Sequence, residues 1–291
     1  MIHHTFWVIQ IRDNEITKGV RMDCCGKLDV LKNNIKSMGS VAVSFSGGVD
    51  STFLLKVAHD VLGDRVMAIT ARSSAYPERE FREAADFAHQ LGVRHMVIVS
   101  EELEIEGFTD NPLNRCYLCK RELFSKICEI AKDQGVKNVA DGSNIDDLSD
   151  FRPGIKALDE LGIVSPLREA GLTKEDIRVL SREMQLPAWD KPAFACLSSR
   201  FPYGQKITKE KLTMVDKAEQ YLLDLGFMQV RVRHHGDIAR IEVAASERVK
   251  FFDDGLMDRI HSSFRQIGFN YVTLDMKGYR TGSMNETIIK E

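Results

Sequence analysis

Short apolar runs alternate with amphipathic stretches from about residue 28 onward. Val41-Ala42-Val43-Ser44-Phe45 is brief and β-branched, which predicts a buried strand. Val66-Met67-Ala68-Ile69-Thr70 and the run from His95 to Val99 read the same way. Helices are predicted between them, over Leu28–Met38, over Ser51–Val61, and from Pro77 to about Gly92. The last of these carries proline in its first turn and glycine past its end. A further helix, Cys119–Asp133, is stopped by Gly135, and Asn138-Val139-Ala140 leads into a polar loop. Strand and helix in alternation predict an α/β fold with a parallel sheet covered on both faces. Such sheets bind ligands beyond the carboxyl ends of their strands, where Ser46, Thr70 and Asp141 fall.

The pattern changes near Pro202. A helix is predicted over Thr208–Leu225, then strands Gln229–Arg233 and Ile238–Val243 separated by His234-His235-Gly236-Asp237. A helical stretch from Ser246 to Ile267 precedes a last strand, Tyr271–Leu274. The expected organisation is a peripheral extension (1–22), an α/β domain (23–201), and a small α+β domain (202–291) for substrate binding or oligomerisation.

Composition narrows the class. Hydrophobic residues make up 43% and charged residues 29% of 291, as in ordinary globular proteins. A formal net charge of -3 gives no global attraction for nucleic acid. No apolar run approaches the roughly 20 residues of a membrane span, and the N-terminus lacks a basic start and a cleavable small-residue site. A cytoplasmic location follows as the expectation. Its reduced thiols make six cysteines metal-binding, catalytic or buried rather than disulfide-bonded. Nucleic acid and membrane are therefore not expected as partners.

The strongest local signal is Ser44-Phe45-Ser46-Gly47-Gly48-Val49-Asp50-Ser51-Thr52, which follows a buried strand and opens a helix. Glycines let the backbone approach an anion closely. Successive N–H groups and the helix N-terminus then face the phosphate. Ser46 and Ser51 can donate hydroxyl hydrogen bonds, and Asp50 can cap the helix or hold phosphate-bound Mg²⁺. No lysine follows the glycines, so this is not a Walker loop. The candidate ATP-binding residues are Ser44, Ser46, Gly47, Gly48, Asp50 and Ser51, with Thr70 and Gly142 at neighbouring strand ends.

Cys116-Tyr117-Leu118-Cys119 opens a helix, so both thiols can share a face. The helix N-terminus and the nearby Arg115, Lys120 and Arg121 are expected to lower the thiol pKa values. Incidental thiols at a helix start remain the alternative. Cys196 lies in an aperiodic loop beside Arg200 and reads either as a nucleophile or as a small buried residue. Arg231 and Arg233 fall on one face of a strand and suit a phosphate, or form a solvated face. His234 and His235 point opposite ways and make a poor metal pair. Asp146, Asp147 and Asp150 are loop caps or Mg²⁺ ligands.

Ser46 to Ser51 resembles the PP-loop signature of the adenine nucleotide alpha-hydrolases, which cut ATP between the α and β phosphates. Three further stretches are similar to the LarE-type pyridinium-3,5-biscarboxylic acid mononucleotide sulfurtransferases, which help build the nickel-pincer cofactor of lactate racemase. These run from Asp141 to Gly154, from Ala195 to Arg200, and from Tyr271 to Asn285 with a gap at residues 276–277. The resemblance covers Leu28 to Asn285. It implies adenylation of a substrate carboxylate with loss of pyrophosphate, then replacement of oxygen by sulfur. Cys196 is implied as the sulfur centre. It either surrenders its own sulfur and becomes dehydroalanine, or joins Cys116 and Cys119 in holding a 4Fe-4S cluster with an extra sulfide. Arg200, Arg231 and Arg233 become candidate ligands of the substrate phosphate. The implied cofactors are ATP, Mg²⁺ and the cluster, and the expected partners are a small nucleotide-like molecule and further copies of the chain. The alternatives are another PP-loop enzyme, such as a tRNA thiolase or an NAD synthetase-like amidating enzyme, and a nucleotide-binding regulatory module without chemistry.

Overall fold

The computed structural model describes residues 23–149, 153–192, 195–280 and 282–283. The expected N-terminal extension lies outside them, as does Asp150. Four strands form a parallel sheet in the order β3-β2-β1-β4: β1 (Val41–Ser44), β2 (Val66–Arg72), β3 (Arg94–Val99) and β4 (Asn138–Ala140). Val41 pairs with Val66 on one side and with Asn138 on the other. Uniformly apolar central strands are what a sheet covered on both faces requires. Alternation still sorts their side chains. Val41, Val43, Val66 and Ala68 enter one core with Phe53, Leu55, Ala84 and Leu180. Ala42, Met67 and Ile69 enter the other with Phe124, Ile127 and Leu158.

The first core is covered by α1 (23–38), α2 (Val49–Leu62), α3 (Glu78–Leu91) and α7 (Lys174–Glu183). The second lies under α4 (Arg115–Asp133) and α5 (Gly154–Glu160). The short α6 (Pro166–Glu169) precedes α7. The sequence pattern predicts no helix between residues 154 and 183, because α5 and α6 are too brief to show a period. For α7 a signal exists. Thr173 and Asp176 form a reciprocal capping box at its start.

Asp176 also anchors α1. Its carboxylate accepts from the buried Cys24 thiol (3.0 Å) and from Lys27 (2.9 Å). Burial would raise its pKa, but these donors and the Thr173 amide outweigh that and hold it down to about 2. The same contact and burial push the Cys24 thiol up to about 12. A carboxylate with a depressed folded-state pKa stabilises the protein above its unfolded value and loses that contribution as the pH falls. Asp176 is therefore expected to contribute about 2 kcal/mol at neutral pH. That contribution disappears between pH 3.8 and about 2. Denaturant titrations across that range should show the loss in wild type and not in Asp176→Asn.

The C-terminal part builds a second, smaller sheet. α8 (Lys209–Asp224), capped by Thr208, leads into a β5–β6 hairpin (Val230–His235 and Ile238–Val243), and β7 (Tyr271–Leu274) runs parallel to β6. The hairpin is tighter than the sequence suggested, since His234 and His235 belong to β5 and only Gly236 and Asp237 turn. The single helical stretch predicted from Ser246 to Ile267 is two elements, a 3₁₀ stretch (Ala245–Phe252) and α9 (Asp254–Ile267), separated by the Asp253 cap. Val230, Val232 and Ile241 pack on Leu212, Leu222 and Phe264. Ala75, Phe108, Leu197 and Phe201, all from before residue 202, join the same core. The loop carrying Cys196 is thereby clamped between the two sheets.

Candidate active site

The PP-loop occupies the carboxyl end of β1. Gly47 has φ 66°, and a Cβ there would stand 2.9 Å from Ala84 Cβ, so only glycine fits. Gly48 is the N-cap of α2 and contributes no side-chain cap, which leaves the first amides of the helix free for a ligand. Ser46 and Ser51 meet through their hydroxyls at 3.1 Å, and Ser51 donates to Gly48 O (3.2 Å). The loop is braced from outside. Thr70, which is buried, donates to Phe45 O (2.8 Å), and Tyr76 donates to Ser46 O (2.6 Å). Thr70 thus supports the loop backbone, and His95 Nε2 sits 2.9 Å from its hydroxyl. Ser44 ends β1 half-buried. Gly142, past β4, approaches so closely that a Cβ would lie 3.1 Å from Ser51 N.

Asp50 lies in the first turn of α2 and is partly exposed. Asn144 Nδ2 donates to one of its oxygens (3.3 Å), and Lys174 Nζ pairs with the other. Neither partner stands out in the sequence. Lys174 follows Thr173 at the start of α7, so the capping box was the available clue. Asp146 and Asp147 act as caps: Asp146 accepts from Lys174 N (2.8 Å) and Asp147 from Asn144 N (3.0 Å). Asp141 accepts from Ser143 and Ser165 and lies 3.9 Å from Lys120 Nζ. The strand ends therefore present a phosphate-sized loop flanked by two lysines and an acidic side chain suited to a divalent cation.

The cysteines form a neighbouring cluster. Arg115 begins α4, with exposed Cys116 and half-buried Cys119 behind it. Cys196 is exposed at the start of a 3₁₀ turn, Leu197–Arg200. That turn is held by backbone contacts. Leu197 N donates to Ala75 O (3.0 Å), Arg115 to Ser198 O (3.0 Å), and Asn111 Nδ2 to Phe201 O (3.2 Å) and Pro202 O (2.7 Å). Cys119 Sγ lies 3.9 Å from Glu102 Oε1.

The expectation of lowered thiol pKa values is not met at Cys119 and Cys196. Desolvation by the surrounding protein atoms raises both, at Cys196 even though the residue as a whole is solvent-exposed, and at Cys119 the charges of Cys196, Glu102 and Cys116 add to it. At Cys196 it is Glu102 that adds, while Arg115 opposes the rise at both thiols without cancelling it. Desolvation outweighs the helix terminus here because the thiols sit among protein atoms and other acidic groups. Among the described residues, no three His, Cys, Asp or Glu side chains stand close enough to hold a single metal ion.

The arginines depart from the sequence-based expectation. Arg200 is fully buried, and its Nε and Nη2 bind Glu219 at 2.8 Å each. Its Nη1 donates to Ala195 O (2.7 Å), Cys196 O (3.2 Å) and Ser199 Oγ (3.0 Å). The guanidinium is turned inward as a strut for the cysteine loop rather than outward to a phosphate. Arg231 and Arg233 share a strand face as expected, but that face is buried against the loop. Arg233 binds Glu242 (2.8 Å), Ser199 O (2.9 Å) and Ser283 (3.0 Å), and Arg231 lies over the Tyr279 ring at 5.1 Å. His234 packs between the tilted rings of Phe201 and Phe269, and burial lowers its pKa to about 4. Removing one member of a buried ion pair leaves the other charge uncompensated, at a cost of about 3–5 kcal/mol. Glu219→Ala is thus expected to lower the unfolding free energy by that amount in a urea titration. A double variant, Glu219→Ala with Arg200→Met, should recover much of it.

Comparison with known proteins agrees with this layout. The family model for NAD synthase matches residues 26–110, a stretch that holds the PP-loop and the first three strands of the parallel sheet. An uncharacterized protein of Synechocystis is 44% identical over 264 residues, covering 91% of this chain and 98% of that protein. An argininosuccinate synthase from Natronomonas pharaonis is 30% identical over 158 residues, 50% of this chain and 39% of its own. The pyridinium-3,5-bisthiocarboxylic acid mononucleotide synthase of Lactiplantibacillus plantarum is 41% identical over 257 residues, which are 88% of this chain and 92% of that enzyme. Likeness of that degree, spanning both sheets and the cysteine loop, assigns this chain to the family of pyridinium-3,5-bisthiocarboxylic acid mononucleotide synthases, enzymes built on a PP-loop ATP-binding domain.

Proposed function

We propose that the protein converts a carboxylate of pyridinium-3,5-biscarboxylic acid mononucleotide into a thiocarboxylate at the expense of ATP, as a step toward a nickel-pincer cofactor of the lactate racemase type. The observation that carries this reading is the juxtaposition of a PP-loop with a separate cysteine cluster, in a chain 41% identical to a synthase of that product class. A carboxylate oxygen is a poor leaving group until it is esterified to AMP. The substrate carboxylate attacks the α-phosphorus and pyrophosphate departs. Ser46 and Ser51, with the free amides of α2, would bind the leaving phosphates. Asp50 would hold Mg²⁺ against them, and Lys174 would neutralise charge. A sulfur nucleophile then attacks the acyl carbon and AMP leaves.

In this reading Cys196 is the sulfur centre. In the sacrificial form its thiolate attacks directly. Loss of the Cα proton then breaks the Cβ–S bond, which releases the thiocarboxylate and leaves dehydroalanine. The rival form engages Cys116, Cys119 and Cys196 together. The fit rests on donor chemistry: soft thiolates suit iron–sulfur clusters, and Cys119 feels the charge of both other cysteines. Each thiolate of a cubane binds a different iron, so the three need not converge on one point. Bound there, a 4Fe-4S cluster with one open iron would supply a sulfide nucleophile and spare the cysteines. Arg200 and Glu219 would keep the Cys196 loop in register with the nucleotide site. Arg231 and Arg233 would line the loop behind it, reaching a substrate phosphate only if that face opens. The domain division near residue 202, self-association and a cytoplasmic location belong to the same proposal. Among the described residues, no helix is long and apolar enough to cross a membrane.

The test is purification without oxygen, reconstitution with iron and sulfide, and intact mass after turnover. The cluster form is expected to show bound iron, more than one turnover with added sulfide, and an unchanged chain mass. A chain lacking iron and lighter by one sulfur and two hydrogens would leave the sacrificial form standing.

A further inference from the structure

Each PP-loop carbonyl from Phe45 to Gly48 accepts from a side chain. Thr70 donates to Phe45 O (2.8 Å), Tyr76 to Ser46 O (2.6 Å), Lys191 Nζ to Gly47 O (3.5 Å) and Ser51 to Gly48 O (3.2 Å). In a trans peptide the N–H points away from the carbonyl of the same unit. Holding the Ser46 and Gly47 carbonyls from outside therefore turns the amides of Gly47 and Gly48 to the side an anion can occupy. Two of the donors lead to Cys196. Lys191 lies on the approach to it, and Arg178 of α7 fixes that approach by donating to Trp189 O (2.7 Å) and Lys191 O (2.8 Å). The ammonium of Lys191 is held in turn by Glu80 (2.8 Å) and Glu83 (2.5 Å) of α3. The same helix packs Ala84 against Gly47, so the anchor of the ammonium and the floor of the loop are one element. On the other side of Cys196, Leu197 N donates to Ala75 O (3.0 Å), and the next residue is Tyr76. Burial, with the charges of Glu80 and Glu83, raises the Tyr76 pKa, so the phenol stays a donor at neutral pH. Cys196 thus has a tether on either side, and the two tethers end on adjacent PP-loop carbonyls.

We propose that Lys191 and Tyr76 are positioning residues that tie the Cys196 segment to the PP-loop, so that the loop holding ATP also sets where the sulfur centre stands. This rests on the function proposed above, in which an acyl adenylate made at one site must meet sulfur at the other. The adenylate is open to hydrolysis until sulfur reaches it. A tether common to both sites keeps the acyl carbon, fixed through its AMP on the PP-loop, at a constant separation from that sulfur. Both residues act through the loops they hold, not on the reacting atoms. A displacement on the order of 1 Å costs roughly 10²-fold in rate, so a loosened Cys196 segment loses adenylate to water before ATP use itself stops.

The test uses the full chain without oxygen, given ATP, Mg²⁺, sulfide and pyridinium-3,5-biscarboxylic acid mononucleotide, and counts thiocarboxylate formed per AMP released by mass spectrometry. The ratio is read in the first turnover, so it serves for either source of sulfur. Wild type is expected to give the two products in equal amounts. Tyr76→Phe and Lys191→Met are expected to keep forming AMP, with a raised KM for ATP and a ratio lower by roughly tenfold or more. Lys191→Arg keeps a cation that can span both carboxylates and the carbonyl, and should recover most of the ratio. Lys191→Met leaves Glu80 buried without its closest partner, so the double variant Glu80→Gln with Lys191→Met separates the tether from stability. It should melt near wild type and still waste ATP. Equal amounts of both products in folded Tyr76→Phe and in the double variant, or a slower reaction at an unchanged ratio, would overturn the tether. Wild type that releases AMP and makes no thiocarboxylate would overturn the proposed function, and this inference with it.

Discussion

An Asp50→Ala protein is expected to fold and to form almost no AMP from ATP and substrate. Asp50 is the acidic side chain in the first turn of the helix that opens at the PP-loop, and it is held between Asn144 and Lys174. Its position lets it hold a divalent cation against the phosphates, whose charge must be stabilised as pyrophosphate leaves. Losing one preorganised electrostatic contact of this kind typically costs a factor of about 10²–10³ in rate, and loss of the cation with it should take the effect to the upper end. The fold should survive because the side chain is partly exposed and the Gly48 N-cap uses no side-chain hydrogen bond. Pyrophosphate release measured beside a thermal melt separates the two effects. A folded Asp50→Ala enzyme that makes AMP at close to the wild-type rate would remove this loop from the chemistry. The uncovered Lys174 would still attract phosphate, so weak ATP binding without turnover is the expected residue of function.

Cys196→Ala should have the opposite signature: AMP and pyrophosphate appear, and no thiocarboxylate does. The substitution removes only the sulfur. The loop is held through main-chain contacts that alanine preserves, among them Ser199 N to Cys196 O (2.9 Å) and Leu197 N to Ala75 O. Arg200 reaches the same carbonyl. Adenylation depends on a different part of the molecule, the ends of the parallel strands, so it should continue until the trapped acyl adenylate hydrolyses. Mass spectrometry of the small molecules reads the outcome. Thiocarboxylate from Cys196→Ala would exclude this residue as the sulfur centre in either form of the mechanism. A variant that fails to adenylate would instead show that the loop completes the nucleotide site.

Local pattern carries a large part of this structure. The strand Val41–Ser44, the glycines after it and the helix beyond follow from near-neighbour sterics and hydrogen bonding, so the phosphate loop is readable from consecutive residues. The helix start that places Cys116 and Cys119 together is readable for the same reason. Thr70 is expected at the nucleotide, yet its hydroxyl is spent on the loop backbone, because strand-end position says nothing about which neighbour a side chain meets.

The arginines show the limit most clearly. A strand with arginines two residues apart has the same pattern whether its charged face meets solvent, a phosphate or a buried glutamate. Glu219, 19 residues from Arg200 along the chain, and Glu242, opposite Arg231 across the hairpin, decide the matter. Thiol acidity departs from expectation likewise. The helix terminus and basic neighbours are local and visible, whereas burial and the approach of Glu102 come from elements far apart in sequence. The sequence by itself determined the strands and most of the longer helices, where an anion can bind, and that one cysteine lies in a loop after the sheet. Only the tertiary structure decided which carboxylate faces which guanidinium and that Glu102 joins the cysteines. Charge pairing and desolvation depend on distances between remote segments, and no local periodicity encodes those.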